Sequence, residues 1–215
     1  TFENITFDYP FKAGDPLSQT PFDIAYSKQI TIRDSTFIGD DAVSTNLQDN
    51  GYPTGIGLYV LGSSDITVEN TEFSNWMRGA LFKNSSNLVI RNNEIHDSRS
   101  EGLNFSQVKN VLIEDNFIHD FRGSESSGDH RDMIQFWSGG TTTPSSDITI
   151  RGNVFDVGDG SWTQTIFMRN EAVSVEGAGP SMYYQNVLIE QNVIVAQHHH
   201  GITLGQTNGL TIRDN

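Results

Sequence analysis

"LVIRNNEI" (88–95) and "VLIEDNFI" (111–118) stand 23 residues apart and carry the same pattern. Apolar and polar residues alternate, a small polar residue follows five positions after the start, and a large apolar residue follows two later. Alternation of period two belongs to a strand with one buried face, not to a helix. The same unit recurs at "ITIRDSTF" (30–37), "ITVENTEF" (66–73), "ITIRGNVF" (148–155), "VLIEQNVI" (187–194) and "LTIRDN" (210–215). The starts differ by 36, 22, 23, 37, 39 and 23, so a short period of 22–23 carries insertions in the long cases. A looser copy begins at "ITF" (5–7).

A second alternating segment follows in each full unit: "GIGLY" (55–59), "GALFK" (79–83), "GLNFS" (102–106), "MIQFW" (133–137), "TIFMR" (165–169) and "GITLG" (201–205). Strand, bend, strand, bend at this period is an all-β, right-handed parallel β-helix, whose coils stack at about 4.8 Å. Equivalent residues then lie above one another. The series Ser35, Thr71, Asn93, Asn116, Asn153, Asn192 and Asn215 is expected to form an internal amide ladder at one bend. The expected organisation is one β-helix domain over 1–215, an excerpt lacking both end caps.

A net charge of −14 repels nucleic acid and anionic membranes, and no apolar run is long enough to span a bilayer. With no cysteine, disulfides contribute nothing. The acidic, Asn/Gly/Thr-rich composition suits an extracellular, secreted bacterial or phage protein. Neither partner class is expected; a polysaccharide is.

Carrying register across coils, with Ile56, Ala80, Leu103, Ile134, Ile166 and Ile202 facing inward, generates columns on the outside. Two residues upstream lie Arg78, Glu101, Asp132, Gln164 and His200; four upstream lie Trp76, Arg99, His130, Trp162 and His198. Three downstream lie Tyr59, Lys83, Ser106, Trp137, Arg169 and Gly205. Aromatic faces stack on sugar rings, and arginine or lysine pairs with uronate carboxylates. The candidate substrate-binding set is therefore Trp76, Arg78, Lys83, Asn104, Arg131, Gln135, Trp137, Trp162, Arg169, His198 and His200.

The repeats, and above all "DHRDMIQFW" (129–137), resemble the right-handed β-helix polysaccharide lyases and mannuronan C5-epimerases. The match is to a His-x-Asp-x-x-Gln strand entry; Asp129-His130 meets the epimerases' Tyr-Gly-x-Asp-Pro-His pattern only in its Asp and His. The resemblance implies removal of the C5 proton of a uronate, by β-elimination or epimerisation. His130 then suits the base, Asp132 orients it or moves a second proton, and Arg99 neutralises the sugar carboxylate. Phage tailspikes share the architecture, so a non-catalytic carbohydrate-binding β-helix, trimeric if tailspike-like, stands as the alternative. A glycoside hydrolase using Asp129 with Asp132 or Glu101 is a third.

No metal-binding residues are assigned. In "QHHHG" (197–201) a strand would send His198 and His200 to one side and His199 to the other, so at most two converge. Ca²⁺ is the one cofactor with candidate ligands, either Asp40, Asp41 and Asp49 or Asp156 and Asp159. The repeated pairs His96-Asp97 and His119-Asp120 read as a structural bend.

Overall fold

The structure, a computed structural model, describes residues 1–215. It is a parallel β-helix. Thirteen strands form a larger sheet and seven a smaller one, and all strand pairings within both are parallel. One coil shows the plan. Ser86–Arg91 and Glu94–His96 lie in the larger sheet on either side of the Asn92-Asn93 bend, and Glu101–Ser106 lies in the smaller. The next coil repeats it with Lys109–Glu114, Phe117–His119 and Asp132–Trp137.

The bends explain the composition. Asn70, Asn92, Asp115, Gln191 and Asp214 all have φ between 49° and 56°, and Gly152 fills the same place at 65°. Left-handed backbone costs least for Gly, Asn and Asp, so every bend but that at Gln191 draws on those residues. The following position carries the expected ladder. Asn116 Oδ1 accepts from Asn93 N at 3.0 Å and from Asn93 Nδ2 at 2.9 Å, and Asn153, Asn192 and Asn215 continue the pattern. Each amide thus satisfies backbone that the bend removes from the sheet. A second, serine-based ladder lies at another bend: Ser63 N donates to Ser85 Oγ at 3.1 Å, and Val108 N to Ser145 Oγ at 3.2 Å.

The core runs along the axis as stacked columns. Phe82, Phe105 and Phe136 stack with ring centroids 5.1 and 4.6 Å apart, and Phe37 and Phe73 stack at 4.9 Å. At the entry to the smaller sheet, two consecutive residues turn inward. A Cβ on Gly102 would meet Phe121 at 3.1 Å and the Met133 carbonyl at 2.7 Å, and Met133 itself joins the core beside Ile134. Asp132 therefore flanks this inward pair on the outer side, and its carboxylate reaches Gln135.

The second strand of the smaller sheet, Thr54–Leu61, corrects the expected register. Leu58, not Ile56, pairs with Ala80; Ile56 pairs with Arg78, and Leu61, not Tyr59, with Lys83. Gly55-Ile56 and Gly57-Leu58 are both Gly-apolar dipeptides, and a slip of two residues leaves side-chain alternation unchanged. From Ala80 onward the register is as expected through Leu103, Ile134, Ile166 and Ile202.

Candidate functional site on the outer face of the smaller sheet

Glu101 and Asp132 occupy equivalent positions on neighbouring coils. Both are buried, Glu101 at 4% and Asp132 at 0% exposure. Burial, reinforced by the charge of Glu101, pushes the Asp132 carboxyl up to about 8. Glu101 is also raised by burial, with Arg78 opposing: Arg78 Nε donates to Glu101 Oε2 at 2.5 Å. The two acids are thereby differentiated, one held by a cation and the other favouring its neutral form at pH 7.

A directed chain of side chains ends on Asp132. Trp137 Nε1 donates to Asn104 Oδ1 at 2.6 Å, Asn104 Nδ2 to Gln135 Oε1 at 2.8 Å, and Gln135 Nε2 to Asp132 Oδ2 at 3.2 Å. Asp132 Oδ1 has no hydrogen-bond partner. Above this chain Arg78, Leu81, Asn104, Gln135 and Trp137 line a depression of about 300 Å³. The Lys83 ammonium lies 5.2 Å from the Trp137 ring centroid, a cation–π contact that leaves its charge at the rim.

A second depression, of about 280 Å³, lies toward the bend and brings together His130, Arg131, Trp162, Gln164 and His198. His130 is exposed, and its ring centroid is 6.1 Å from that of Phe167. Trp162 is 51% exposed and lies 4.2 Å from the His198 ring. Arg169 is exposed, following Met168, which pairs with Phe136 just before Trp137.

Besides Asp132, which is fully buried, two more of the expected site residues do not reach this surface. Trp76 is fully buried, and its indole N–H donates to the Phe37 carbonyl at 3.0 Å. The 39–53 insertion and the N-terminal segment cover its coil; Phe11 packs edge-on at 6.0 Å. Arg99 is 1% exposed and already neutralised by two carboxylates, with Nη2 at 2.8 Å from Asp49 and 2.7 Å from Asp129. It ties two insertions to the coil and offers no charge to a sugar. The expected acidic group is divided likewise: Asp49 faces Arg99, and Asp41 is 3.0 Å from Arg122. Asp156 Oδ1 accepts from Gly158 N, and Asp159 N donates to Asp120.

Residues 23–215 match a family described as right handed beta helix region. The chain belongs to the right-handed β-helix family. No curated protein matches it. Members of this right-handed β-helix architecture carry their chemistry in side chains presented by the coils, so the activity has to be read from the site and not from the fold.

In this β-helix protein five of the six histidines fall into two groups. His96 and His119 stack at 5.2 Å on successive coils, each with Nδ1 2.7 Å from the following aspartate and Nε2 3.2 Å from a glutamate, Glu72 or Glu94. His198, His199 and His200 lie on a bend, not a strand, and nitrogens of all three fall within 4.8 Å of one another. That corrects the expectation that at most two converge: alternation ceases where the backbone turns. Burial and the two neighbouring imidazoles lower the His198 pKa. Of the residues that now define the site, Gln164 was visible only as a member of a column, Glu101 as a column member and a hydrolase carboxylate, and His199 was expected on the opposite side.

Proposed function

We propose that the chain is a carbohydrate-active protein that works on a uronic-acid polysaccharide along the outer face of its smaller sheet, by β-elimination or C5 epimerisation. The observation that carries this reading is Asp132, a buried carboxyl with a pKa of about 8 that is hydrogen-bonded to Gln135, which with Trp137, Asn104 and Arg78 lines a depression. A C5 proton is weakly acidic, and a base whose pKa lies near the working pH combines availability with strength. In the proposed reaction the ionised form of Asp132, the minor form at pH 7 and the major one above about pH 8, takes the C5 proton. In elimination the C4–O bond then breaks, its electron pair staying with the leaving oxygen while the electrons of the C5–H bond form the C4–C5 double bond. In epimerisation a proton returns to C5 from the opposite face. His130, exposed and two residues upstream, is the proposed donor to the leaving oxygen or to that face.

Charge at the rim supports an anionic substrate despite the acidic chain. Lys83, Arg131 and Arg169 form no ion pair, and they take the role expected of Arg99. Asp132 shows no surface, so sugar entry has to turn the Gln135 side chain away from it. The Glu101–Asp132 pairing favours glycoside hydrolysis as a second reading, with neutral Asp132 as acid and Glu101 as nucleophile or base. The proposed setting is extracellular.

The test is incubation of the protein with alginate, pectin and glycosaminoglycans. Unsaturated-sugar absorbance reports elimination, deuterium uptake at C5 reports epimerisation, and new reducing ends alone report hydrolysis. Binding with no product on the whole panel would support the non-catalytic alternative. Activity that survives both Asp132→Asn and His130→Ala would remove these residues from the mechanism.

A further inference from the structure

The three consecutive histidines lie at the edge of the second depression, where His198 contributes to the lining with His130 and Trp162. Three imidazole nitrogens within 4.8 Å are nearly placed for one ion; a tetrahedral ion at about 2.0 Å from each nitrogen separates them by about 3.3 Å. His199 and His200 are exposed, so their side chains have room to turn toward a shared ion.

Two contacts bear on the ligand atoms. His200 Nδ1 lies 3.3 Å from Gln164 Oε1, an amide oxygen that can only accept. The proton therefore sits on Nδ1, and the Nε2 lone pair is left for a ligand, which is the arrangement of an outer partner fixing a metal-binding imidazole. His198 Nδ1 accepts from His200 N at 3.0 Å, so its lone pair also points into the bend. An ion there replaces that hydrogen bond.

We infer that His198, His199 and His200 form a site for one borderline transition-metal dication of the Zn²⁺, Ni²⁺ or Cu²⁺ class. Imidazole selects these ions over Ca²⁺ and Mg²⁺, which require oxygen ligands. Three protein ligands leave a fourth position open, beside the depression that holds His130 and Trp162. The inference stands apart from the proposed polysaccharide chemistry, because it depends on no residue of the Asp132 chain.

The experiment is isothermal titration of chelator-stripped, tag-free protein with ZnCl₂, NiCl₂ and CuCl₂, with CaCl₂ and MgCl₂ for comparison. One ion per chain is expected for the transition metals. His198→Ala and His200→Gln each weaken binding about 10-fold or more, whereas His96→Gln leaves it unchanged. A cobalt(II) derivative should show d–d bands that vanish in the triple alanine variant. Absence of binding, an unchanged affinity in that triple variant, or Ca²⁺ binding as tightly as Zn²⁺ would each overturn the assignment. Since the substituted side chains lie at a surface bend, an unaltered melting temperature checks that loss of binding is not unfolding.

Discussion

Glu101 and Asp132 stand opposite each other on neighbouring parallel strands, both carboxyls buried, with only Glu101 held by an arginine. Like charges one strand spacing apart in a dry environment cannot both be held cheaply, so one acid keeps its proton. Asp132 is the one lacking a cation. Function and stability therefore pull on the same residue.

Asp132 should make stability depend on pH. Its folded pKa, about 8, exceeds that of an unfolded aspartate, about 3.9, so the fold binds the proton more tightly than the unfolded chain does. The stabilisation is complete below about pH 4 and is lost as pH rises to about 8, at up to about 1.4 kcal/mol per pH unit. Asp132→Asn should therefore flatten the decline. Urea unfolding at pH 5 and pH 9 checks this; the variant should gain stability relative to wild type at pH 9, by a few kcal/mol on that scale. Its activity on the responsive polysaccharide should fall about 10²- to 10⁴-fold.

Trp76 and Trp137 should separate cleanly. Trp76→Ala removes a fully buried ring and should cost about 3–5 kcal/mol in denaturant unfolding. Trp137→Ala should leave the melting temperature nearly unchanged and weaken oligosaccharide binding, measured by calorimetry, about 10-fold, the loss of one stacking contact.

Breaking the Arg99 pairs should loosen two insertions at once. Arg99→Ala strands Asp49 and Asp129 and should cost about 3–5 kcal/mol. Hydrogen exchange should quicken over both 39–53 and 123–131, while the Asn93–Asn153 bend stays protected. Equal acceleration in all coils would show that Arg99 supports the coil alone.

The ladder should be strongest in the middle. Asn116→Ala takes the acceptor from the Asn93 backbone N–H and the side-chain donor from the Ile90 carbonyl, at about 1–3 kcal/mol for each group left buried and unpaired. Asn215→Ala, at an exposed residue, should cost clearly less in the same thermal melt.

His96 should weaken the fold in the alkaline direction. Burial opposes its charge, but hydrogen bonds to Asp97 and Glu72 outweigh this and raise its pKa. The stabilisation is fully present below about pH 6.5, the unfolded value, and disappears as pH rises through the higher folded value. His96→Gln should remove that part of the melting-temperature profile while leaving the plateau above it unaffected.

The architecture was legible because a β-helix repeats its constraints. Alternation, the 22–23 residue period and the Asn series each report one physical requirement, and they agree coil after coil. The columns of Arg78, Asp132, Gln135 and Trp137 followed from the same register. Register failed at Ile56, where two Gly-apolar dipeptides were equivalent under a period of two.

Sequence alone determined the coil, the bend residues and the order of side chains along each outward row, because these depend on local backbone preference and on stacking of like upon like. Tertiary structure decided which members of a row meet solvent. The insertions bury Trp76 and bind Arg99 between two aspartates, and their path across the coils has no periodicity to read. It also decided that Asp132 is dry and His198, His199 and His200 converge. Burial and the turning of a bend arise from what lies across space, which a one-dimensional repeat does not encode.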